Sequence, residues 1–368
     1  MEKKHKICYV ILTWGRSIAQ QKTWKFFREY INLSPEHIYF LSSDDNPNLQ
    51  KLINEYGDDH VVYYSREDVN NEPDFDTMYY SKEDIAMLGG DDLKMYTGGT
   101  VQSRFIAGEL MSKLGYEYMF VIDDDTLGFQ TLINDSNGKL HKPALLDYKR
   151  AKLDFEYVFE LFADFLDKNQ SCYALCEPQG GDFMAWGQTP DQTMEKVLSS
   201  FHCLRIRKAM NTFFMRCVRF STFKGMNDDV NAYIDIRSGY ALSIPFAILN
   251  QPQPMITSGG MSVTYSDDHG NFKKPFCSYM INPIDIKLKR MRPTSGGNKN
   301  RTRDYTKACD RMHHSLTNTS ITWPILHCIE TNDELDISIL QKVVLQYNFD
   351  GSTDCWRIPL GKDKTKDD

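Results

Sequence analysis

Residues Tyr118 to Phe129 read Y-M-F-V-I-D-D-D-T-L-G-F, an apolar run that stops in three consecutive carboxylates, Asp123, Asp124 and Asp125. Met119 to Ile122 follow one another without polar alternation, the pattern of a strand buried on both faces. Such a strand cannot end in uncompensated charge, because desolvating even one carboxylate costs several kcal/mol. The acids are therefore expected either to fan into solvent or to hold a cation. Side chains alternate along an extended backbone, so Asp123 and Asp125 are expected on one side and Asp124 on the other. Two hard oxygen ligands on one side suit Mn²⁺ or Mg²⁺, above all where a diphosphate completes the coordination sphere. A bare D-x-D is common by chance, and its plain alternative is a solvated acidic turn. Its place at the end of a buried strand, where α/β sheets put their ligands, sets the metal reading level with that alternative.

Upstream, Ile7 to Thr13 reads as a buried strand, followed by the loop Trp14-Gly15-Arg16-Ser17 and a helix over Ile18 to Ile31. His37 to Ser42 is a second strand, ending in Ser43-Asp44-Asp45-Asn46-Pro47. Leu49 to Tyr56 is helical, and His60 to Tyr64 is a third strand. Strand and helix in alternation begin a parallel sheet flanked by helices. The acidic stretch Asn70 to Asp92 reads as an insertion. Thr100 to Leu114 is an amphipathic helix with Phe105, Leu110 and Leu114 among its apolar positions, and Gly115 is placed to cap it. In such a sheet Gly15-Arg16, Asp44-Asp45 and Asp123 to Asp125 converge at the carboxyl ends of the strands.

Downstream, Ala151 to Asp167 forms an aromatic amphipathic helix, and Cys172 to Glu177 a strand that leads into the loop Pro178 to Gly187. Met210 to Val218 is a further strand, after which F-K-G-M-N-D-D-V-N-A-Y (Phe223 to Tyr233) opens a helix. Asp228 and Asp229 near that start are welcome on capping and dipole grounds alone, or serve as a general base toward an acceptor hydroxyl. Pro252 to Pro283 is rich in Gly, Pro and Ser. From Lys287 to Arg311 nine basic residues face only Asp304 and Asp310, a local charge of +7 in a chain whose total is −7. A polyanion would be met by this patch rather than by the global field, although a solvated loop has the same composition. Ile321 to Ile329 is strand-like, and Asp333 to Tyr347 is a last amphipathic helix.

At 368 residues and 12% aromatic content the chain can bury a sizeable core. Its nine cysteines contain no C-x-x-C, which argues for reduced thiols rather than a disulfide framework or zinc site. A cytoplasmic setting, or host cytoplasm for a viral chain, is the expectation. The apolar run after Lys6 is short and interrupted by Gly15-Arg16, unlike a signal peptide, and no segment has transmembrane length.

V-I-D-D-D resembles the D-x-D motif of GT-A glycosyltransferases, which bind nucleotide sugars through a divalent cation. F-K-G-M-N-D-D-V resembles their later acidic motif, whose second acid is the catalytic base of inverting members. The order is also similar: nucleotide-binding strand, D-x-D, an aromatic-Gly acceptor loop (Met184-Ala185-Trp186-Gly187), then the second acid. More narrowly, R-x-x-A-G (Arg104 to Gly108) paired with V-I-D-D-D resembles the phage TET-associated and base-J-type DNA glycosyltransferases, which modify hydroxymethylated pyrimidines. The broad resemblance spans Ile7 to Leu249.

It implies an α/β, GT-A-like (Rossmann-type), mostly parallel sheet flanked by helices, with a mixed C-terminal extension. Residues 1–250 would form the nucleotide-sugar and catalytic domain, 251–330 an acceptor-binding basic segment, and 331–368 a C-terminal helix and polar tail. Asp123 and Asp125 would hold Mn²⁺ or Mg²⁺, with His269 as a late third ligand for which His313, His314 and His327 compete. Arg16, Arg104 and Asp124 would face the diphosphate or nucleoside, and Asp44 and Asp45 its base or ribose. Asp229, or Asp228, would be the base. Trp186, Asp182, Arg290, Arg292, Lys299, Arg301 and Arg303 would serve the acceptor. The implied donor is a UDP-sugar and the implied acceptor 5-hydroxymethylpyrimidine in DNA, flipped from the duplex. Rivals are a cytosolic nucleotide-sugar mutase, a glycosyltransferase acting on protein or small molecules, and a degenerate nucleic-acid-binding relative. A nucleotidyltransferase fits less well, since T-W-G-R-S lacks a Gly-rich phosphate loop with its Lys.

Overall fold

Four parallel strands carry the surroundings of the three aspartates: β1 (Ile7–Leu12), β2 (Ile38–Ser43), β3 (Val61–Tyr64) and β4 (Tyr118–Asp123). The computed structural model describes residues 4–70, 100–134, 140–145, 148, 154–169, 172–176, 194–195, 201–206, 240–243, 248–250, 286–290 and 312–316. Among these, β7 (Cys172–Cys176), β8 (Met194–Glu195), β9 (His202–Arg205) and β10 (Tyr240–Ser243) extend the same sheet. Its order is β3-β2-β1-β4-β9-β7-β10-β8. β1 pairs in parallel with β2 and β4, β2 with β3 and β10 with β7, whereas β9 and β8 run antiparallel to their neighbours. The sheet is therefore mixed, mostly parallel and flanked by helices, an α/β arrangement.

The chain leaves β1 toward β2 and β3 on one side and comes back on the other as β4. This reversal opens a crevice beyond the carboxyl ends of β1 and β4, where open α/β sheets bind ligands. The register sets Leu12 beside Asp123, so the loop after β1 and the acidic turn after β4 leave the sheet together.

Three smaller strands lie outside this sheet. β5 (Gly128–Asn134) pairs with β6 (Leu140–Leu145) and with β11 (Ile248–Asn250). In the expected acceptor segment, β12 (Ile286–Arg290) and β13 (Met312–Leu316) form an antiparallel ribbon.

Of the helices expected within the described residues, three form where expected and one does not. Helix α5 (Phe155–Lys168) starts where the Asp154 side chain accepts from Tyr157 N, and it buries Phe155, Val158, Phe159, Phe162, Phe165 and Leu166. α4 (Thr100–Lys113) ends at Gly115, whose φ of 88° is the left-handed value that glycine tolerates best. Tyr116 N donates to Met111 O and Gly115 N to Ser112 O, the paired bonds of a Schellman close. The apolar stripe expected on α4 is corrected: its buried positions include Ser103, Ala107 and Met111, whereas Leu114 is exposed. Small side chains there let the helix lie close to β1 and β2.

The single helix expected over Ile18 to Ile31 is instead three pieces: a 3-10 turn at Ile18–Gln20, α1 at Thr23–Lys25, and a π turn at Phe26–Tyr30. The break has a cause. Lys22 N and Thr23 N donate to the Asp124 carbonyl at 2.8 and 3.3 Å, so these amides serve the β4 turn instead of continuing a helix. Two further helices complete the first half, α2 (Leu49–Tyr56) and the short α3 (Arg66–Asn70).

Aromatic rings hold the sheet to α5. Phe120 lies 5.5 Å from Tyr9, 4.5 Å from Phe159 and 5.4 Å from Phe201, and Phe129 stands edge-on to Phe26 at 4.9 Å. Burying such a side chain is worth about 1.5–3 kcal/mol, and each good ring pair adds about 0.5–1.5 kcal/mol. This core fixes β4, and so fixes where its acidic end emerges. The segments expected at Met210 to Val218, Phe223 to Tyr233, Ile321 to Ile329 and Asp333 to Tyr347 lie outside the described residues.

Candidate functional site

β4 stops at Asp123 and the chain turns through Asp124 and Asp125. The expected alternation, Asp123 with Asp125 and Asp124 opposed, therefore does not hold: the turn ends the extended backbone that alternation requires. The carboxylates divide differently. Arg16 Nε lies 3.1 Å from Asp124 Oδ1, and Arg16 Nη1 lies 2.7 Å from Asp125 Oδ2. Asp123, a third exposed, faces Arg104 Nη2 at 3.7 Å.

The plain alternative for Arg16 and Arg104, an arginine paired with a carboxylate, is what the fold shows: the acids meet guanidiniums rather than solvent alone. Asp124 is the deepest, 3% exposed. Thr13 Oγ1 donates to its Oδ2 at 2.6 Å, and Gln21 Nε2 donates to Thr13 Oγ1 at 2.7 Å. Burial pushes the Asp124 carboxyl up to about 7, against the pull of Arg16 and Thr13 and with added push from Asp125 and Asp123. The turn is also stapled through its backbone, as Thr23 Oγ1 donates to Asp123 O at 2.5 Å and accepts from Thr126 N at 3.0 Å.

A second corner forms at the ends of β2 and β3. Trp14 Nε1 donates to Asp45 Oδ1 at 3.1 Å, Arg66 Nε pairs with Asp45 Oδ2 at 3.0 Å, and the Arg66 guanidinium stacks over the Trp14 ring at 5.3 Å. Asp44 Oδ1 accepts from Arg66 N. Asn46 Oδ1 accepts from Gly15 N, and Asn48 Nδ2 donates to Arg16 O, so this corner also fixes the loop that aims Arg16. Gly15, at φ 70°, supplies the left-handed turn that loop needs.

The structure thus brings together Arg16, Asp44, Asp45, Arg104, Asp123, Asp124 and Asp125 at one sheet edge. Arg290 belongs to a different sheet, at the end of β12 and opposite Met312. Asp182, Trp186, Asp228, Asp229, His269, Arg292, Lys299, Arg301 and Arg303 lie outside the described residues. Sequence reasoning missed Thr13, Gln21 and Arg66. Arg66 carried a usable signal, since it follows strand β3 as Arg16 follows β1.

Among the described residues, five carboxylates at this edge face three guanidiniums, a surplus of negative charge within that set. Asp125 Oδ1 is buried with no hydrogen-bond partner among the described residues. A buried, unpaired carboxylate oxygen two residues from the partly exposed Asp123, in a described set with surplus negative charge, fits a hard divalent cation. The three guanidiniums in turn suit the oxygens of a phosphate. Among the described residues no helix is long and apolar enough to cross a membrane.

No protein-family model matches the chain, and no curated protein matches it.

Proposed function

We propose that the chain is a metal-dependent glycosyltransferase of the GT-A type. It moves a sugar from a nucleotide diphosphate, a UDP-sugar by preference, to a hydroxyl, with 5-hydroxymethylpyrimidine in DNA as the favoured acceptor. One observation carries the reading: Asp123 to Asp125, Arg16 and Arg104 meet beyond the carboxyl ends of β1 and β4, where the strand order reverses.

In this reading Asp123 and Asp125 hold Mn²⁺ or Mg²⁺, which neutralises the leaving diphosphate when bound. Arg16 and Arg104 orient the phosphates, and Arg16 exchanges part of its carboxylate contact for phosphate oxygen. The Trp14–Arg66–Asp45 corner receives the nucleoside, with Trp14 offering a ring face and Asp44 and Asp45 accepting from hydroxyls. Asp229, or Asp228, takes the proton of the acceptor hydroxyl as its oxygen bonds the anomeric carbon and the bond to the diphosphate breaks. The basic stretch from Lys287 to Arg311 supplies phosphate contacts to DNA.

The test is mass spectrometry of reactions containing Mn²⁺, a panel of UDP- and GDP-sugars, and DNA with or without 5-hydroxymethylcytosine. A mass shift on the modified DNA, lost in Asp123→Asn and Asp125→Asn, supports the whole reading. Donor hydrolysis without DNA labelling keeps the transferase and discards the acceptor. If no donor turns over and no nucleotide binds in a metal-dependent way, the glycosyltransferase reading fails.

A further inference from the structure

The register of β12 and β13 sets Lys287 opposite Ser315 and Lys289 opposite His313. Residues paired across an antiparallel ladder share a face, and faces alternate along each strand. One face of the ribbon thus carries two lysines, a histidine and a serine, with no apolar and no acidic residue. The other carries every apolar residue of the two strands, Ile286, Leu288, Met312 and Leu316, with His314 and Arg290 among them.

A face of the first composition calls for a polyanion. Lysine supplies charge, and histidine and serine supply donors that phosphate oxygens accept. Single-stranded nucleic acid is held largely by stacking on aromatic side chains, and this face has no aromatic residue. Double-stranded RNA has a major groove too deep and narrow for side chains to read. The major groove of B-DNA, about 12 Å wide, admits a two-stranded ribbon whose strands lie about 4.8 Å apart. Charge also orients the encounter. Lys287 to Arg311 carries +7 within a total of −7, so the rest of the chain carries −14. A duplex is repelled by that remainder and drawn to the stretch that begins on β12.

We propose that the β12–β13 ribbon docks in the major groove of duplex DNA by the face that carries Lys287, Lys289, His313 and Ser315. The inference rests on the DNA acceptor of the proposed function and deepens it. Of the basic stretch it selects one face of one ribbon, places Arg290 off that face, and adds His313 and Ser315 from beyond the stretch.

Fluorescence anisotropy of the full chain with a labelled duplex, between about 50 and 200 mM salt, tests this. Ser315→Lys adds a charge to the docking face and should tighten binding several-fold, with the slope of log affinity against log salt steeper by about 1. His314→Lys adds the same charge one residue away on the other face and should change both far less. A gain confined to one face does not arise from misfolding. Lys287→Ala combined with Lys289→Ala should make the slope shallower by about 2. The inference is overturned if no duplex binds, if the two added lysines act alike, or if the double alanine variant keeps the parent slope. Tighter binding of single-stranded DNA, or of vesicles of anionic phospholipid, than of the duplex overturns it as well. Face-specific duplex binding in a chain that turns over no donor sinks only the transferase; donor turnover without it sinks only this inference.

Discussion

Replacing Arg16 by Met tests whether this guanidinium is what allows the acidic turn to be buried. Arg16, Asp124 and Asp125 have side chains only 11%, 5% and 11% exposed, so removing the cation leaves two carboxylates with little water to turn to. Removing one partner of a buried ion pair costs about 3–5 kcal/mol, most of it the unpaired charge left behind. The cost depends on pH with a definite sign. The Asp124 carboxyl already sits at about 7, above an ordinary 3.8, because of burial. A raised carboxyl favours the native state when protonated, so its contribution is complete below the unfolded value and is lost as pH rises through the native one. Without Arg16 the native value rises further. The variant should therefore lose about 3–5 kcal/mol near pH 8 and less than about half of that near pH 5, where Asp124 takes up a proton. Thermal unfolding followed by circular dichroism in a chelator, at about one-unit pH steps, reads this directly. Asp124→Asn added to Arg16→Met should recover part of the loss at high pH, since removing both members of a pair is far milder than removing one. An equal loss at both ends of the range, or a loss below about 1 kcal/mol near pH 8, would refute the reasoning.

Other predictions test separate links. Phe159→Ala empties the centre of the ring cluster beneath β4 and should cost about 3–5 kcal/mol in urea unfolding; a loss under about 1 kcal/mol would mean that the cluster does not hold the sheet to α5. Gly115→Ala meets no atom within 4 Å, so its cost is backbone conformation alone, about 1–2 kcal/mol. Asn should be milder than Ala there, and equal losses for the two would locate the effect outside the left-handed turn. Trp14→Phe deletes the bond to Asp45 but keeps a ring beside Arg66, so on the proposed function nucleotide affinity should fall about five- to tenfold in calorimetry. Melting temperature should hardly change, and an unchanged affinity would remove Trp14 from the nucleoside site.

The parts of the fold legible in the sequence are those where one local rule dominates. β1, β2 and β4 announce themselves as unbroken apolar runs, α5 by its aromatic stripe, and the end of α4 by Gly115. The missed strand β9 is instructive. His202-Cys203-Leu204-Arg205 is fully buried between β4 and β7, with Arg205 only 1% exposed. A strand with a charged residue at its end reads as surface until a distant partner is known, and here Arg205 Nη2 reaches the Asn169 carbonyl at 3.5 Å. Long-range compensation of this kind has no local signature.

The acidic turn obeys the same logic. Its desolvation problem was visible in the order of residues, but the solution came from positions 100 or more residues earlier, Thr13, Arg16, Gln21 and Thr23. Those residues bear on function as well as stability. A carboxylate cluster held only by protein donors would be a finished structural unit, whereas this one keeps a buried Asp125 oxygen unbonded among the described residues. It also keeps Asp123 a third exposed beside Arg104. On the proposed function, this unbonded Asp125 oxygen, at the point where the strand order reverses, is where the cation would be held.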